Sequence, residues 1–218
     1  MDLDDVWRSI DSERLSLADL IDDLSPAEWE TPSLCTGWLV RDVAAHLTQA
    51  HMGYRDALVA AVRARGSFDR MIRDGALRIG PLPPEECSRR IRAMVGSRRR
   101  APMVSPVEPL IDVLVHGQDI AVPLGRERPV PPVPAAAAAQ RAWDMSFPFR
   151  ARRRLAGLRL RATDGDLVLG GGGPVEGTTG DLLLLITGRT ATVHRLSGEG
   201  VQRLPTADGR RHESRRTT

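Results

Sequence analysis

Two residues that can bind a metal ion, Asp112 and His116, are separated by four positions in the segment Asp112-Val-Leu-Val-His116. In an α-helix, side chains at i and i+4 lie on one face, so this carboxylate and imidazole can hold one cation together. Asp119 lies one turn further along the same face and can orient an imidazole from outside the ligand set. The spacing predicts a metal site, and it leaves open which of the two acids is the ligand.

A third ligand must come from another helix, and His46 is the best candidate. It lies mid-helix in Asp42-Val-Ala-Ala-His46-Leu47, where a polar ring among alanines and leucines needs a partner. The competing interpretation is a hydrogen-bonded core histidine with no metal. The other histidines are weaker candidates, since we expect His51 on the surface, His194 in a strand and His212 in the tail.

The first two-thirds of the chain has the pattern of a helical protein. Apolar residues recur at three- and four-residue spacings over residues 3–24, and Ser25-Pro26-Ala27-Glu28 has the signature of a capping box. Further helices are predicted over 39–65 before Gly66, in the seventies, over 85–96 and from Pro109 to Ala121 before Pro123 and Gly125.

The pattern changes after Phe149. A proline-rich connector at 129–134 and a last helix at 135–143 precede it. Alternation predicts a strand at 155–163 and a second at 167–169, separated by the turn Asp164-Gly165, and Gly170–Gly173 is interpreted as a loose turn. The apolar run 182–186 predicts a helix closed by Gly188, and 190–196 predicts a final strand. We expect domains at 1–149 and 150–204, and a disordered tail at 205–218.

Three segments resemble the mycothiol-dependent maleylpyruvate isomerase family. Ser33-Leu-Cys-Thr-Gly-Trp-Leu-Val-Arg-Asp-Val-Ala-Ala-His-Leu47 is similar to its S-x-C-x-G-W-x-V-x-D-x-x-A-H-L segment. Val115-His-Gly-Gln-Asp-Ile-Ala121 resembles its metal-binding helix. Ala162-Thr-Asp-Gly165 together with Gly180-Asp-Leu-Leu-Leu-Leu-Ile-Thr-Gly-Arg189 resembles its small C-terminal domain.

The resemblance implies a mainly α protein, a DinB-like four-helix bundle followed by a small sterol-carrier-like α/β domain. It implies His46, an acid at position 112 and His116 as ligands of a zinc-type divalent cation, and mycothiol as the co-substrate. It also implies that Arg189 binds the carboxylate of a substrate or thiol and belongs to the catalytic set, and a surface arginine is the competing interpretation. This chain departs from the family pattern at one ligand position. It has Asp112 where the pattern has a glutamate, whose side chain is longer by one methylene.

The predicted function is therefore isomerisation or S-transfer with a low-molecular-weight thiol and a small electrophilic substrate. Two alternatives remain open: a metal- or ligand-binding module of the same fold without turnover, and a metal-dependent hydrolase. Cys35 is a weak candidate nucleophile, because its position just before a helix could favour a thiolate, and a structural cysteine is the competing interpretation.

Composition narrows the class of protein. The net charge is only +3, and the sequence has no stripe of basic residues with aromatic residues between them. We therefore expect no nucleic-acid partner. No apolar stretch approaches the ~20 residues that span a bilayer, and the acidic start lacks the features of a signal peptide. With only two cysteines, reduced thiols are expected. We predict a cytoplasmic monomer or homodimer with no membrane partner.

Overall fold

The computed structural model describes residues 1–49, 82–99 and 105–205. The chain divides into two compact units, residues 1–128 and 129–218. The described part of the first unit is helical, and that of the second combines helices with a small sheet. The predicted class, a mainly α protein with a helical bundle and a small α/β domain, is confirmed. The unit boundary lies earlier in the chain than the change of pattern near residue 150.

Five α-helices form the described part of the first unit. Helix α1 packs against α4 and α5, and α3 packs against α5. Because α3 and α5 carry the histidines and acids singled out above, this last pairing is the one that matters for the site. The bounds are α1 Leu3–Asp22, α2 Pro26–Trp29, α3 Val40–Leu47, α4 Pro84–Arg92 and α5 Val107–Ala121.

Local capping sets where the first helices begin. The Asp2 carboxylate accepts a hydrogen bond from the backbone N–H of Asp5 and starts α1. Ser25 caps α2, Pro26 takes its first position and Glu28 closes the predicted capping box. At the start of α3, Asp42 Oδ2 accepts from the backbone N–H of Leu39 at 2.9 Å. These bonds satisfy backbone donors that helix geometry leaves without a partner.

A buried ion pair fixes the middle of α5. Arg128 Nη2 lies 2.6 Å from Glu13 Oε2, and the two side chains are 3% and 7% exposed. Gln118 on α5 donates through Nε2 to the backbone oxygen of Arg128 at 2.7 Å. A Cβ at Gly117 would lie 2.9 Å from the guanidinium carbon of Arg128. The absence of a side chain at position 117 therefore lets α5 approach the Arg128 side chain closely. The pair therefore ties α5 to α1.

The second unit is built around a buried apolar helix. The helices α6 and α8 pack together, and α8 also packs against the sheet. Every residue of α8 is buried, and Thr178 caps the helix by accepting from the backbone N–H of Asp181. The elements are α6 Pro132–Asp144, α7 Ala151–Arg154, β1 Leu158–Ala162, β2 Val168–Gly170, β3 Gly173–Gly177 and α8 Thr179–Ile186.

The sheet has the order β2-β1-β3, with β1 antiparallel to β2 and parallel to β3. Alternate residues of β1 are buried, so its leucines face α8 and its arginines face solvent. Leu160 is in register with Leu169 on one side and Val175 on the other. The sheet is therefore one layer of the unit's core and α8 is the other.

The structure corrects several predicted elements. The predicted final strand at 190–196 is wrong, since Val193–Arg195 is a 3₁₀ turn. The third strand is instead β3, which begins within the glycine run interpreted as a loose turn. Helix α6 begins at Pro132, inside the predicted proline connector, because proline fits the first turn of a helix. Helix α5 begins at Val107, before Pro109, for the same reason.

Other expectations can be checked only in part. The helix expected over 39–65 is present over Val40–Leu47, and Thr48 and Gln49 form a turn that ends it, so the prediction is wrong at these two residues. The rest of that span lies outside the described residues, as do the helix in the seventies and the tail beyond 205. Among the helices of the described ranges, none combines the length and apolar character needed to cross a membrane.

The buried pair yields a stability prediction. Arg128→Met leaves the Glu13 carboxylate buried without a counter-charge and should lower the free energy of unfolding by about 3–5 kcal/mol. The double variant Glu13→Leu/Arg128→Met should recover much of this loss, because no uncompensated charge remains. Urea denaturation measures both. Arg98→Met is the control, because it breaks the exposed pair with Asp4 and should cost less than about 1 kcal/mol. Equal losses in Arg128→Met and Arg98→Met would contradict the prediction.

Candidate metal centre

Helices α3 and α5 bring together the three residues predicted as ligands. His46 lies on α3, and Asp112 and His116 lie on α5. One nitrogen or oxygen atom from each lies within 4.8 Å of the others. The i, i+4 spacing puts the two α5 side chains on one face, and the packing of α3 against α5 brings the third to it. The proximity inferred from the sequence is present in the fold, and the ligand role stays a prediction.

The separations between donor atoms suit a small divalent cation. Asp112 Oδ1 lies 3.5 Å from His46 Nε2 and 3.5 Å from His116 Nε2. Ligands bound tetrahedrally to zinc at about 2.0–2.1 Å stand roughly 3.3–3.4 Å apart. The imidazole rings are 4.9 Å apart and nearly perpendicular, at 78°. The three side chains are between 17% and 32% exposed, so the donor atoms are within reach of a small ligand.

A hydrogen bond to Asp119 favours one tautomer and one ring orientation of His116. Its carboxylate is fully buried, and Oδ2 lies 2.8 Å from His116 Nδ1. A buried carboxylate accepts a proton from Nδ1, which leaves the lone pair of the ring on Nε2. That lone pair points toward Asp112 Oδ1, another acceptor. Two facing acceptors are satisfied by a proton or a cation between them, and a metal ion is one such cation.

A tight turn ahead of α3 packs against both histidines. Ser33 closes the turn, with its Oγ donating to the backbone oxygen of Trp38 at 2.9 Å. The ring of Trp38 meets His46 edge-on, with centroids 5.7 Å apart. Cys35 Sγ lies 3.1 Å from Asp119 Oδ2 and 3.7 Å from His116 Nδ1. These contacts were not predicted from the sequence, where Cys35 was a candidate nucleophile or a structural cysteine, although Cys35 and Trp38 both lie in the segment 33–47 that carries the family resemblance.

On the inner side of Asp112 lies a small, mainly apolar cavity. Among the described residues that line it, Arg14 is the one cation, and the others beside Asp112 are Leu17, Leu47, Ile91, Met94, Pro109 and Val113. Burial lowers the pKa of Arg14, and attraction to Asp11 and Asp112 opposes this shift. The Asp112 carboxylate therefore lies near the guanidinium of Arg14 as well as near the two imidazole rings.

The remaining candidate residues belong to the second unit or lie outside the described residues. Arg189 belongs to the second unit, where it follows α8 and donates through Nη1 to the backbone oxygen of Thr187 at 3.0 Å. His194 is exposed in the 3₁₀ turn, not in a strand. His51 and His212 lie outside the described residues.

Comparison with known proteins agrees with the resemblance noted in the sequence. Residues 10–102 match the family model of the mycothiol maleylpyruvate isomerase N-terminal domain. This span contains the segment 33–47 that carries the resemblance, with His46 in it, and it ends before α5. The resemblance predicted from the sequence is thereby confirmed for the N-terminal domain. None of the curated proteins compared with the chain matches it.

Solved structures with the same fold include the crystal structure of the mycothiol-dependent maleylpyruvate isomerase and that of a histidine-to-alanine variant of that enzyme. Each aligns with a TM-score of 0.60 at 13% sequence identity, over 94% of this chain and 95% of that chain. At this identity the similarity establishes a shared fold.

The two cysteines should differ in reactivity. Cys87 is fully buried in α4, and burial raises the pKa of its thiol to about 12, so only ~10⁻⁴ of it is thiolate at pH 8. Cys35 is partly exposed. Titration of native protein with a thiol reagent should give one fast thiol, absent in Cys35→Ala and retained in Cys87→Ala. If Cys87→Ala removes the fast phase instead, the assignment is wrong.

Proposed function

We propose that this chain is a metal-dependent enzyme that uses mycothiol to act on a small electrophilic substrate. The observation that carries the proposal is the convergence of His46 Nε2, His116 Nε2 and Asp112 Oδ1, with Nε2–Oδ1 separations of 3.5 Å. The family-model match supports the choice of thiol, since the matching domain is named for a mycothiol-dependent isomerase.

The proposed ligand set suits zinc, which binds imidazole and carboxylate in four-coordinate sites. When bound, such a cation lowers the pKa of a coordinated thiol, so that thiolate is available near neutral pH. Two neutral imidazoles and the Asp112 carboxylate contribute one negative charge, so a loaded site keeps a net positive charge. Three protein ligands also leave a coordination position for an incoming sulfur.

The neighbours of the histidines have distinct roles in the proposal. Asp119 holds the Nδ1–H of His116 and so directs Nε2 toward Asp112. Trp38 packs against the ring of His46 and limits its rotation. Arg189 would bind a carboxylate of the thiol or the substrate, since a guanidinium can hold a carboxylate with two parallel hydrogen bonds.

The proposed reaction begins with addition of the thiolate to an electrophilic carbon of the substrate. In an isomerase the carbon–sulfur bond then breaks after rotation about the substrate bond, and the thiol is regenerated. In an S-transferase that bond remains. Either reaction needs a reduced thiol, so a cytoplasmic location is part of the proposal.

A second candidate function, metal-dependent hydrolysis, is favoured by the same open three-ligand geometry. Such a site can also bind water and lower its pKa toward 7. The two functions differ in whether turnover needs a thiol. A binding module of the same fold would show neither reaction.

The metal assignment is tested by elemental analysis and by competition with a zinc chelator. Wild-type protein purified without chelator should hold close to one divalent ion per chain, and His116→Ala should lose most of it. Asp112→Asn should weaken zinc binding by roughly 10-fold or more, because it removes the only anionic ligand. Asp112→Glu should be milder, because a longer carboxylate can still bind.

Asp119→Asn serves as the comparison in the same titration. Its affinity for zinc should fall between the affinities of wild type and of Asp112→Asn. If Asp112→Asn binds zinc as tightly as wild type while Asp119→Asn does not, the carboxylate ligand is Asp119. Full occupancy in His116→Ala would show that the ligand set is wrong.

The thiol requirement is tested by isothermal titration of mycothiol into zinc-loaded and metal-free protein, followed by turnover of maleylpyruvate with and without the thiol. We expect binding to the loaded protein only, and turnover that requires the thiol. Arg189→Gln should raise KM with a smaller effect on metal content, and Arg195→Gln, an exposed arginine of the same unit, is its matched control. Thiol-independent hydrolysis of ester substrates would favour the second candidate function instead.

A further inference from the structure

The turn before α3 is built to hold the Cys35 side chain in one place. Ser33 Oγ accepts from the backbone N–H of Cys35 at 3.1 Å and donates to the backbone oxygen of Trp38. The backbone N–H of Trp38 in turn donates to the oxygen of Cys35 at 2.9 Å. Gly37 lies in the left-handed region, with φ 79°, which other residues rarely adopt. The turn has little freedom to move its thiol.

A further backbone bond fastens this turn to α5. The N–H of Leu34 donates to the backbone oxygen of Asp119 at 3.2 Å. The same residue of α5 thus meets the turn twice, through its backbone oxygen and through its carboxylate, which lies 3.1 Å from Cys35 Sγ. Because Asp119 is fully buried, its carboxylate depends on protein donors for hydrogen bonds.

Cys35 is therefore one end of a chain of hydrogen bonds that reaches the proposed metal ligand. The thiol donates to Asp119 Oδ2, and the same oxygen accepts the Nδ1 proton of His116 at 2.8 Å. The opposite nitrogen, Nε2, faces Asp112. The order of the chain is thiol, carboxylate, imidazole and metal position.

We propose that Cys35 is a positioning residue for the metal site, acting on His116 through Asp119. This inference rests on the proposed function, because it assumes that His116 Nε2 is a metal ligand. With the thiol as donor, the Asp119 carboxylate keeps the orientation that accepts from Nδ1. Without the thiol, the carboxylate loses a buried donor and can rotate, and the ring loses its fixed tautomer.

The same three side chains, Cys35, His116 and Asp119, could instead be taken as a second metal site, since their donor atoms also lie close together. The distances favour hydrogen bonds. Nδ1 and Oδ2 are 2.8 Å apart and Sγ and Oδ2 are 3.1 Å apart, both shorter than the ~3.3–3.5 Å between donors on one zinc ion. The cluster is thus an outer support of the first site.

The test compares three substitutions of Cys35 in the full chain. Cys35→Ser keeps a hydrogen-bond donor at nearly the same place. Cys35→Val fills the volume without a donor, and Cys35→Ala removes both the donor and the volume. Cys87→Ala is the matched control, because it removes the other thiol, which is buried in α4. Thermal melting of each variant monitors folding.

Two readouts separate positioning from simple stability. Competition with a zinc chelator should show that Cys35→Ala and Cys35→Val weaken the affinity for zinc by about 3- to 10-fold. This loss is smaller than the roughly 10–100-fold expected when a residue that touches a metal ligand directly is replaced. Cys35→Ser and Cys87→Ala should stay within about 2-fold of wild type. Nitrogen-15 NMR of labelled histidine in metal-free protein should show the Nδ1–H tautomer of His116 in wild type and Cys35→Ser, and a mixture in Cys35→Val.

The outcomes are distinct. Wild-type affinity and an unchanged tautomer in Cys35→Val overturn the positioning role and leave the metal site standing. A Cys35→Ser variant as weak as Cys35→Val also overturns it, because the donor would then not be what matters. If wild type binds no zinc at all, the proposed function fails, and the role of Cys35 toward a metal fails with it.

Discussion

The hydrogen bond between Asp119 and His116 is the constraint on which the candidate site depends. Because the carboxylate is fully buried and 2.8 Å from Nδ1, it selects the nitrogen that remains available. That choice turns Nε2 toward Asp112 Oδ1 and gives the three-atom cluster its capacity for a cation. Burying a carboxylate is costly unless it is hydrogen-bonded, and here an imidazole and a thiol supply the donors.

Much of the N-terminal unit could be predicted from the sequence because its signals are local. The capping box at Ser25 and the helix end at Ala121 follow from short-range chemistry. The meeting of His46 with α5 is different, since periodicity cannot say which helices pack together; the resemblance to a family supplied that pairing. The contacts of Cys35 could not be predicted either, because they depend on the conformation of a turn.

The C-terminal unit shows where local signals mislead. The stretch after Gly188 is rich in β-branched residues, yet Val193–Arg195 is a 3₁₀ turn, and its only strand-like contact is the bridge of Ser197 to Glu176. The third strand lies instead at Gly173–Gly177. Glycine is required at Gly172, just before it, because a Cβ there would lie 2.2 Å from the backbone oxygen of Gly157. Pairing with β1, a tertiary interaction, overrides the weak intrinsic preference of this segment for a strand.

The separation of the site residues along the chain has a consequence for the order of assembly. Cys35 and Asp119, which touch in the folded unit, are 84 positions apart. In a zinc finger the ligands are close in sequence, and the metal itself can organise the chain. Here the donor residues are far apart along the chain, so the entropy lost in bringing them together must be offset by the hydrophobic contacts of helix packing. A cation bound by the proposed ligands would therefore meet donor atoms that are already in place, and its exchange would not require the bundle to unfold.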